Sequence, residues 1–369
     1  MTRSRPLRVL LVAYPLLPVT EDSAGGAEQV LWALERELHA RGHRTFVAAS
    51  DGSRISGELF ATGQPATALD QFQAREEEQS SRISDWLNSA DAPQLDLIHD
   101  QSGSFWKQAS RSQLPLLATL HLPRSFYAQG SFHNIAENVF FNCVSEAQLK
   151  DFADLPNQLG FVRNGIALDR FPGGDQAISN REYLLWLGRI CEEKGTHVAL
   201  DLAHEADQRI IIAGQVYPFL YHQKYFAREI IPRLKRAGKK AQFINAPSFG
   251  EKMELLRNAR ALLLTSLVDE TSSMVAMEAA ACGTPVLGFR RGAFPEVIQD
   301  GINGKLFASP QEMRDGLREV EAFVPQRCRQ FAEQNFSVQH MADRYEELYP
   351  ELLEASQAAR RELARNRAF

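Results

Sequence analysis

Glu270 and Glu278 stand with seven residues between them, inside the run from Leu262 to Val297. A carboxylate only accepts hydrogen bonds, so a pair of them suits the hydroxyls of a sugar and of a ribose. Thr271, Ser272 and Ser273 are good N-cap residues, and an apolar, alanine-rich helix follows them to Cys282. Gly283 and Pro285 stop that helix. Ala261 to Leu264 before it and Val286 to Phe289 after it read as buried strands. At the start of such a helix, unpaired N–H groups and a partial positive charge favour an anion. An anion beside a diol describes a sugar nucleotide.

A second group lies in the loop after the strand Tyr183 to Leu187, which reads Gly188-Arg189-Ile190-Cys191-Glu192-Glu193-Lys194-Gly195. Arg189 can fork onto phosphate oxygens and Lys194 can add a compact charge. The rival reading is a surface ion-pair cluster with Glu192 and Glu193. Gly25-Gly26 precedes a helix striped by Val30, Leu31, Leu34 and Leu38, so its backbone can approach a ligand closely or simply turn. No G-x-G-x-x-G follows the first strand, which counts against a dinucleotide site. His99 and His121 fall at the C-terminal ends of strands, where open α/β sheets bind ligands; each also has a structural reading. Phe249-Gly250 precedes a helix that starts near Glu251. Phe126, Tyr127, Phe132 and His133 could line a pocket or fill the core.

Strand and helix patterns alternate through both halves of the 369 residues, which implies two doubly wound α/β domains. Strands are expected at Arg8 to Tyr14, Thr45 to Ala49, Leu95 to His99, Leu116 to Leu120 and Val139 to Val144. In the second half they are expected at Arg209 to Ala213 and Gln242 to Asn245. A charged helix is expected over Arg75 to Leu87 and another over Lys224 to Ala237, with Pro232 a kink point. Residues 51–72 carry turn and strand signals with no clear period. Beyond Leu306 the pattern is helical, with breaks expected near Pro325, Phe336 and Pro350.

Hydrophobic content of 44% and charged content of 24% describe a globular chain, and no apolar run is long enough to span a membrane. Pro15 and Pro18 interrupt the apolar stretch Val9 to Val19, so it reads as a first strand rather than a leader. Cys143, Cys191, Cys282 and Cys328 are scattered without disulfide or metal spacing, so reduced thiols and the cytoplasm are expected. No Asp-x-Asp occurs and no His/Asp/Glu group has ligand spacing, so no metal is expected. Net charge is −5; residues 1–173 hold 15 Lys and Arg against 20 Asp and Glu. That acidic half argues against nucleic acid or anionic lipid as its partner.

The run around Glu270 and Glu278, with Ala-Cys-Gly-Thr-Pro-Val at 281–286 and then Gly292, Glu296, Asp300, Gly301 and Gly304, resembles retaining glycosyltransferases of family 4, which have the GT-B fold. The loop from Gly188 to Gly195 resembles that family's diphosphate loop, and Arg163-Asn164-Gly165-Ile166 resembles the turn closing its first domain. One departure stands out: Ser272-Ser273 occupies the place of the usual Phe-Gly.

The resemblance implies two Rossmann-like domains facing each other across a cleft. Residues 1–173 would form the acceptor side, 174–340 the nucleotide-sugar side, and 341–369 a helix crossing back plus a tail. It implies that Glu270 holds the sugar and Glu278 the ribose, with Ser273, Met274 and Val275 in the same donor loop. Arg189 and Lys194, with Gly25 and Gly26, would face the diphosphate. Phe249 would border the base, and His121 would stand near the reacting sugar. The activity implied is transfer of a hexose from a nucleotide sugar, UDP-linked, to a hydroxyl acceptor, small or glycan and soluble, with no cofactor. Two rivals remain open: a GT-B phosphorylase or sugar-nucleotide epimerase, and a non-catalytic paralogue that binds nucleotide sugar or glycan. No lysine stands in a pyridoxal phosphate motif, and Ser272-Ser273 is the one feature that favours the non-catalytic reading.

Overall fold

The computed structural model describes residues 5–66, 69–173, 176–217 and 219–366. Gly174 of the Pro-Gly-Gly stretch and the last three residues of the tail lie outside that set. The chain forms two compact units, residues 1–165 with 338–369, and residues 166–337.

The first unit holds seven strands: β1 Arg8–Val12, β2 Arg44–Ala49, β3 Glu58–Ala61, β4 Leu97–Asp100, β5 Leu116–Thr119, β6 Val139–Cys143 and β7 Gln158–Phe161. Their order across the sheet is β3-β2-β1-β4-β5-β6-β7, and every pairing is parallel. The second unit holds β8 Tyr183–Leu187, β9 Ile210–Gly214, β10 Ala241–Asn245, β11 Ala259–Leu264, β12 Val286–Phe289 and β13 Gly304–Phe307, in the order β10-β9-β8-β11-β12-β13. This sheet is parallel as well. Runs such as Leu10-Leu11-Val12 and Leu262-Leu263-Leu264 are buried throughout, because helices cover both faces of a parallel sheet. In each sheet the direction of winding reverses beside the first strand, between β1 and β4 and between β8 and β11. Ligands enter open α/β sheets at such switch points, beyond the carboxyl ends of the strands.

Three short strands escaped the sequence pattern. β3, β7 and β13 have four residues each, and the lateral pairing of a neighbour stabilises them rather than a period of their own. The helix expected from Lys224 begins earlier, at Leu220, and runs as Leu220–Tyr225, a π-helical turn Phe226–Ile230 and Ile231–Ala237. Pro232 has no N–H to offer the ladder, and the wide turn immediately before it accommodates that loss.

Pro325 opens a helix and Phe336 closes it, but the break expected at Pro350 is absent. The helix Val338–Asn366 passes through Pro350, because the residues around it are fastened to the first unit. Tyr345, Tyr349 and Leu352 are fully buried there. The Tyr349 hydroxyl lies 2.9 Å from His99 Nδ1, and Arg41 donates at 2.6 Å to both Asp343 and Glu346. That burial offsets the hydrogen bond proline removes. Among the described residues no helix is long and apolar enough to cross a membrane.

Candidate functional site

The loops after β8 and β11 lie side by side because those strands pair at the switch point of the second sheet. Their backbones are joined. Leu267 N donates to Glu193 O at 2.8 Å, and the Thr265 hydroxyl donates to Gly195 O at 2.8 Å. The Trp186 indole N–H closes the set on Thr265 Oγ1 at 3.1 Å. Gly195 sits at φ +64°, and a Cβ there would come within 1.9 Å of the Thr265 carbonyl. Only glycine permits this approach. The consequence is local and exact in position: Lys194, one residue before Gly195, reaches across to the loop after β11.

Lys194 Nζ stands 2.6 Å from Glu270 Oε1, which also accepts from the Ser266 hydroxyl. Arg189 pairs with Glu193 at 3.2 Å and lies 5.9 Å from the Tyr217 ring centroid. Lys194 and Arg189 each keep about a third of their side-chain surface open, so both remain reachable. Arg189 thus pairs with Glu193, and Lys194 with Glu270.

The helix Met274–Ala281 starts where the N-cap signal placed it. Ser273 is the N-cap, its hydroxyl accepting from Ala276 N. Met274 and Val275 supply the first helical N–H groups, which have no partner within the helix. The helix is buried almost all round, with Ala276, Ala279, Ala280 and Ala281 at zero exposure. Its small side chains let it sit between the sheet and the helix Pro325–Asn335. Glu278 is on this helix with a side chain 2% exposed; its Oε1 accepts from Lys252 Nζ at 2.7 Å. Its Oε2 is buried and has no partner among the described residues, so one acceptor is left to bind a donor group.

Phe249 opens the helix Phe249–Asn258, which a reciprocal Ser248–Glu251 capping box begins. The Arg170 guanidinium lies 3.9 Å from the Phe249 ring centroid, Lys252 Nζ 4.9 Å, and the Phe171 ring meets it edge-on at 5.7 Å. Lys252, Ser266 and Arg170 were not singled out from sequence. Lys252 and Arg170 meet Glu278 and Phe249 across long stretches of chain, where no local pattern marks the pairing, whereas Ser266 bonds Glu270 four residues on.

The remaining candidates belong to the first unit. Gly25 caps and Gly26 opens the helix Gly26–Ala40 after β1. His121 follows β5, and enclosure of its ring pulls its pKa down to about 4. His99 has a structural role: it bonds to Tyr349 through Nδ1 and to Thr119 at 2.7 Å through Nε2, and burial pulls its pKa to about 3. Phe132 packs with Trp106, Tyr127, Phe141 and Phe152 in the core, whereas Phe126 is exposed.

Residues 174–335 match the family described as glycosyl transferases group 1. The chain is 25% identical over 243 residues to a D-inositol 3-phosphate glycosyltransferase of Mycobacterium sp., covering 57% of this chain and 55% of that protein. It spans about half the length of several of the curated relatives it matches. Among solved structures it resembles AviGT4, a glycosyltransferase involved in avilamycin A biosynthesis, with TM-score 0.72 and 23% identity over 95% of this chain and 98% of the other. It also resembles Alr3699/HepE of Anabaena in complex with UDP and glucose, with TM-score 0.71 and 18% identity over 94% and 100%. The fold is therefore the α/β GT-B fold with two Rossmann-like domains. The match lies within the second unit and covers almost all of it.

Proposed function

We propose that the protein is a retaining glycosyltransferase of family 4, moving a hexose from a UDP-linked nucleotide sugar to a hydroxyl acceptor. The observation that carries this reading is the convergence of Lys194, Glu270 and the capped start of the helix Met274–Ala281 at the switch point of the second sheet. Glu270 holds the sugar and Glu278 the ribose. Arg189 and Lys194 neutralise the charge that grows on the diphosphate as the bond to the sugar breaks. Phe249 borders the base. Catalysis comes from positioning and leaving-group stabilisation. No metal and no cofactor takes part, since two cationic side chains supply the positive charge. The likeness to a structure holding UDP and glucose supports the choice of donor.

The acceptor is a soluble small molecule or glycan, and the protein works in the cytoplasm. The acidic balance of residues 1–173 supports this. Strong co-sedimentation with anionic liposomes at physiological salt would overturn it.

A thermal-shift screen of nucleotide sugars tests the donor, because a ligand that binds only the native state raises Tm by mass action. UDP-hexoses should stabilise the protein, and donor turnover should then depend on acceptor. Stabilisation by no nucleotide sugar would sink the reading. Turnover to an isomeric sugar nucleotide without acceptor would favour the epimerase, and binding without turnover the non-catalytic paralogue.

A further inference from the structure

We infer that Cys191, Glu193 and His222 form a binding site for a thiophilic divalent cation, best suited to Zn²⁺. Cys191 Sγ, a Glu193 carboxylate oxygen and a His222 ring nitrogen lie within 4.8 Å of one another. Cys191 and Glu193 come from the loop after β8, and His222 from the helix Leu220–Tyr225. Cys191 and His222 are fully buried.

His222 is the second, independent observation. Neither of its ring nitrogens has a hydrogen-bond partner among the described residues. Other buried histidines differ: His43 accepts from Leu7 N at 3.1 Å and meets Glu346 at 2.8 Å, and both nitrogens of His99 are bonded. A neutral imidazole carries one donor and one acceptor, and burying both without partners is costly. Tyr221, Phe219 and Tyr217 wall the ring, with centroids at 4.1, 5.3 and 5.9 Å, so they fix its orientation. Cys191 Sγ donates to Arg189 O at 3.5 Å and also interacts with the Glu193 side chain.

Sulfur, imidazole nitrogen and carboxylate oxygen together suit Zn²⁺, which takes such ligands at about 2.0–2.3 Å in tetrahedral geometry. Hard Mg²⁺ and Mn²⁺ prefer oxygen sets. Three protein ligands leave a fourth position for water. On binding, the Cys191 thiol gives its proton to solvent and its sulfur bonds the metal. Thiolate and carboxylate then balance the dication, although the nearby Arg189 guanidinium opposes it. Binding draws Glu193 from Arg189, its present partner at 3.2 Å.

This inference does not depend on glycosyl transfer, and neither does its test. The tag-free full-length protein, stripped by chelator, is titrated with Zn²⁺ alone and with Co²⁺ alone. One equivalent should bind with a micromolar or tighter Kd. The Co²⁺ form should show a thiolate-to-metal charge-transfer band and the strong visible bands of tetrahedral geometry. X-ray absorption of the Zn²⁺ form should report one sulfur neighbour at about 2.3 Å. Cys191→Ser should abolish the charge-transfer band, and His222→Gln should weaken binding at least tenfold. Cys328→Ser serves as the control and should change neither. The absence of stoichiometric binding by the wild type, a metal shell without sulfur, or variants that bind as the wild type does would each overturn the inference. The wild-type spectra decide the matter even if a variant fails to fold.

Discussion

Lys194 and Glu270, 76 residues apart in the chain, form an ion pair of 2.6 Å at the switch point of the second sheet. The ammonium proposed for the leaving diphosphate and the carboxylate proposed for the sugar therefore hold each other in place. Glu270→Gln weakens that pairing and leaves Lys194 free for phosphate. It should lower kcat, with the affinity for UDP kept or tightened. Glu278→Gln should instead raise the donor KM with kcat nearly unchanged, the mark of a contact equal in ground and transition states. A hydrogen bond to a charged group contributes about 1.5–3 kcal/mol, so each change should be roughly 10- to 150-fold. Steady-state kinetics with UDP titration check both; loss of UDP affinity in Glu270→Gln alone would reverse the assigned roles.

Lys252 and Glu278 make a second pair at 2.7 Å, with side chains 12% and 2% exposed. Removing one partner of a buried pair leaves a desolvated charge and costs about 3–5 kcal/mol. Lys252→Met should lower the urea unfolding free energy by that order. Lys194→Met, whose partner Glu270 is 14% exposed, should cost clearly less. Adding Glu278→Leu to Lys252→Met should recover most of the loss. Equal stability of the wild type and Lys252→Met would show that the pair contributes little.

Gly292 backs the loop that carries Glu270. It lies at φ +49°, and a Cβ on it would come within 2.6 Å of both Glu270 N and Glu270 O. Ala293 N also donates to Glu270 O at 2.8 Å. Gly292→Ala should push this backbone aside and loosen Glu270 from Lys194. Displacement of about 1 Å at a reacting centre costs on the order of 100-fold in rate. We expect kcat to fall by roughly 10- to 100-fold while the variant still folds, as followed by kinetics beside circular dichroism. Unchanged kcat in the folded variant would contradict this.

Burial pushes the Glu28 carboxyl up from 4.5 to about 7. The folded chain therefore keeps a proton that the unfolded chain releases between those two values. The contribution of Glu28 is complete below pH 4.5 and declines as pH rises to 7, by on the order of 3 kcal/mol. His99 and His121 act oppositely, since their folded pKa values are depressed, so the comparison must be a difference. Urea unfolding of the wild type and Glu28→Gln at stepped pH should show the wild type losing ground to the variant between pH 4.5 and 7. A constant difference across that window would rule out the shift.

Transfer should persist in excess chelator and gain nothing from added Mg²⁺ or Mn²⁺ if, as proposed, Arg189 and Lys194 supply the charge. A radiolabelled donor assay in buffer with and without chelator reads this directly. Activity lost to the chelator and restored by Mg²⁺ or Mn²⁺ would refute it.

Much of the site was legible in the chain because its signals are local. The Ser273 cap, the alanine-rich helix to Cys282 and the stop at Gly283 each depend on residues within one or two turns. Continuous apolar runs named most of the strands, since a parallel sheet buried on both faces needs no alternation. The strand end at Leu264, the N-cap residues at 271–273 and the alanine-rich run after them put Glu270 in the loop and Glu278 on the helix.

Contacts between distant segments were decided by tertiary structure. Nothing near Lys194 in the chain points to Glu270, and nothing near Lys252 points to Glu278; strand pairing and helix packing brought them together. The same holds for Cys191, Glu193 and His222, which show no ligand spacing in the chain yet converge when the helix Leu220–Tyr225 packs beside the loop after β8. Pro350 marks a helix break by its own chemistry, but Tyr345, Tyr349 and Leu352 are buried around it and the helix continues. Local propensity is worth about 3 kcal/mol there, and burial of three large side chains outweighs it.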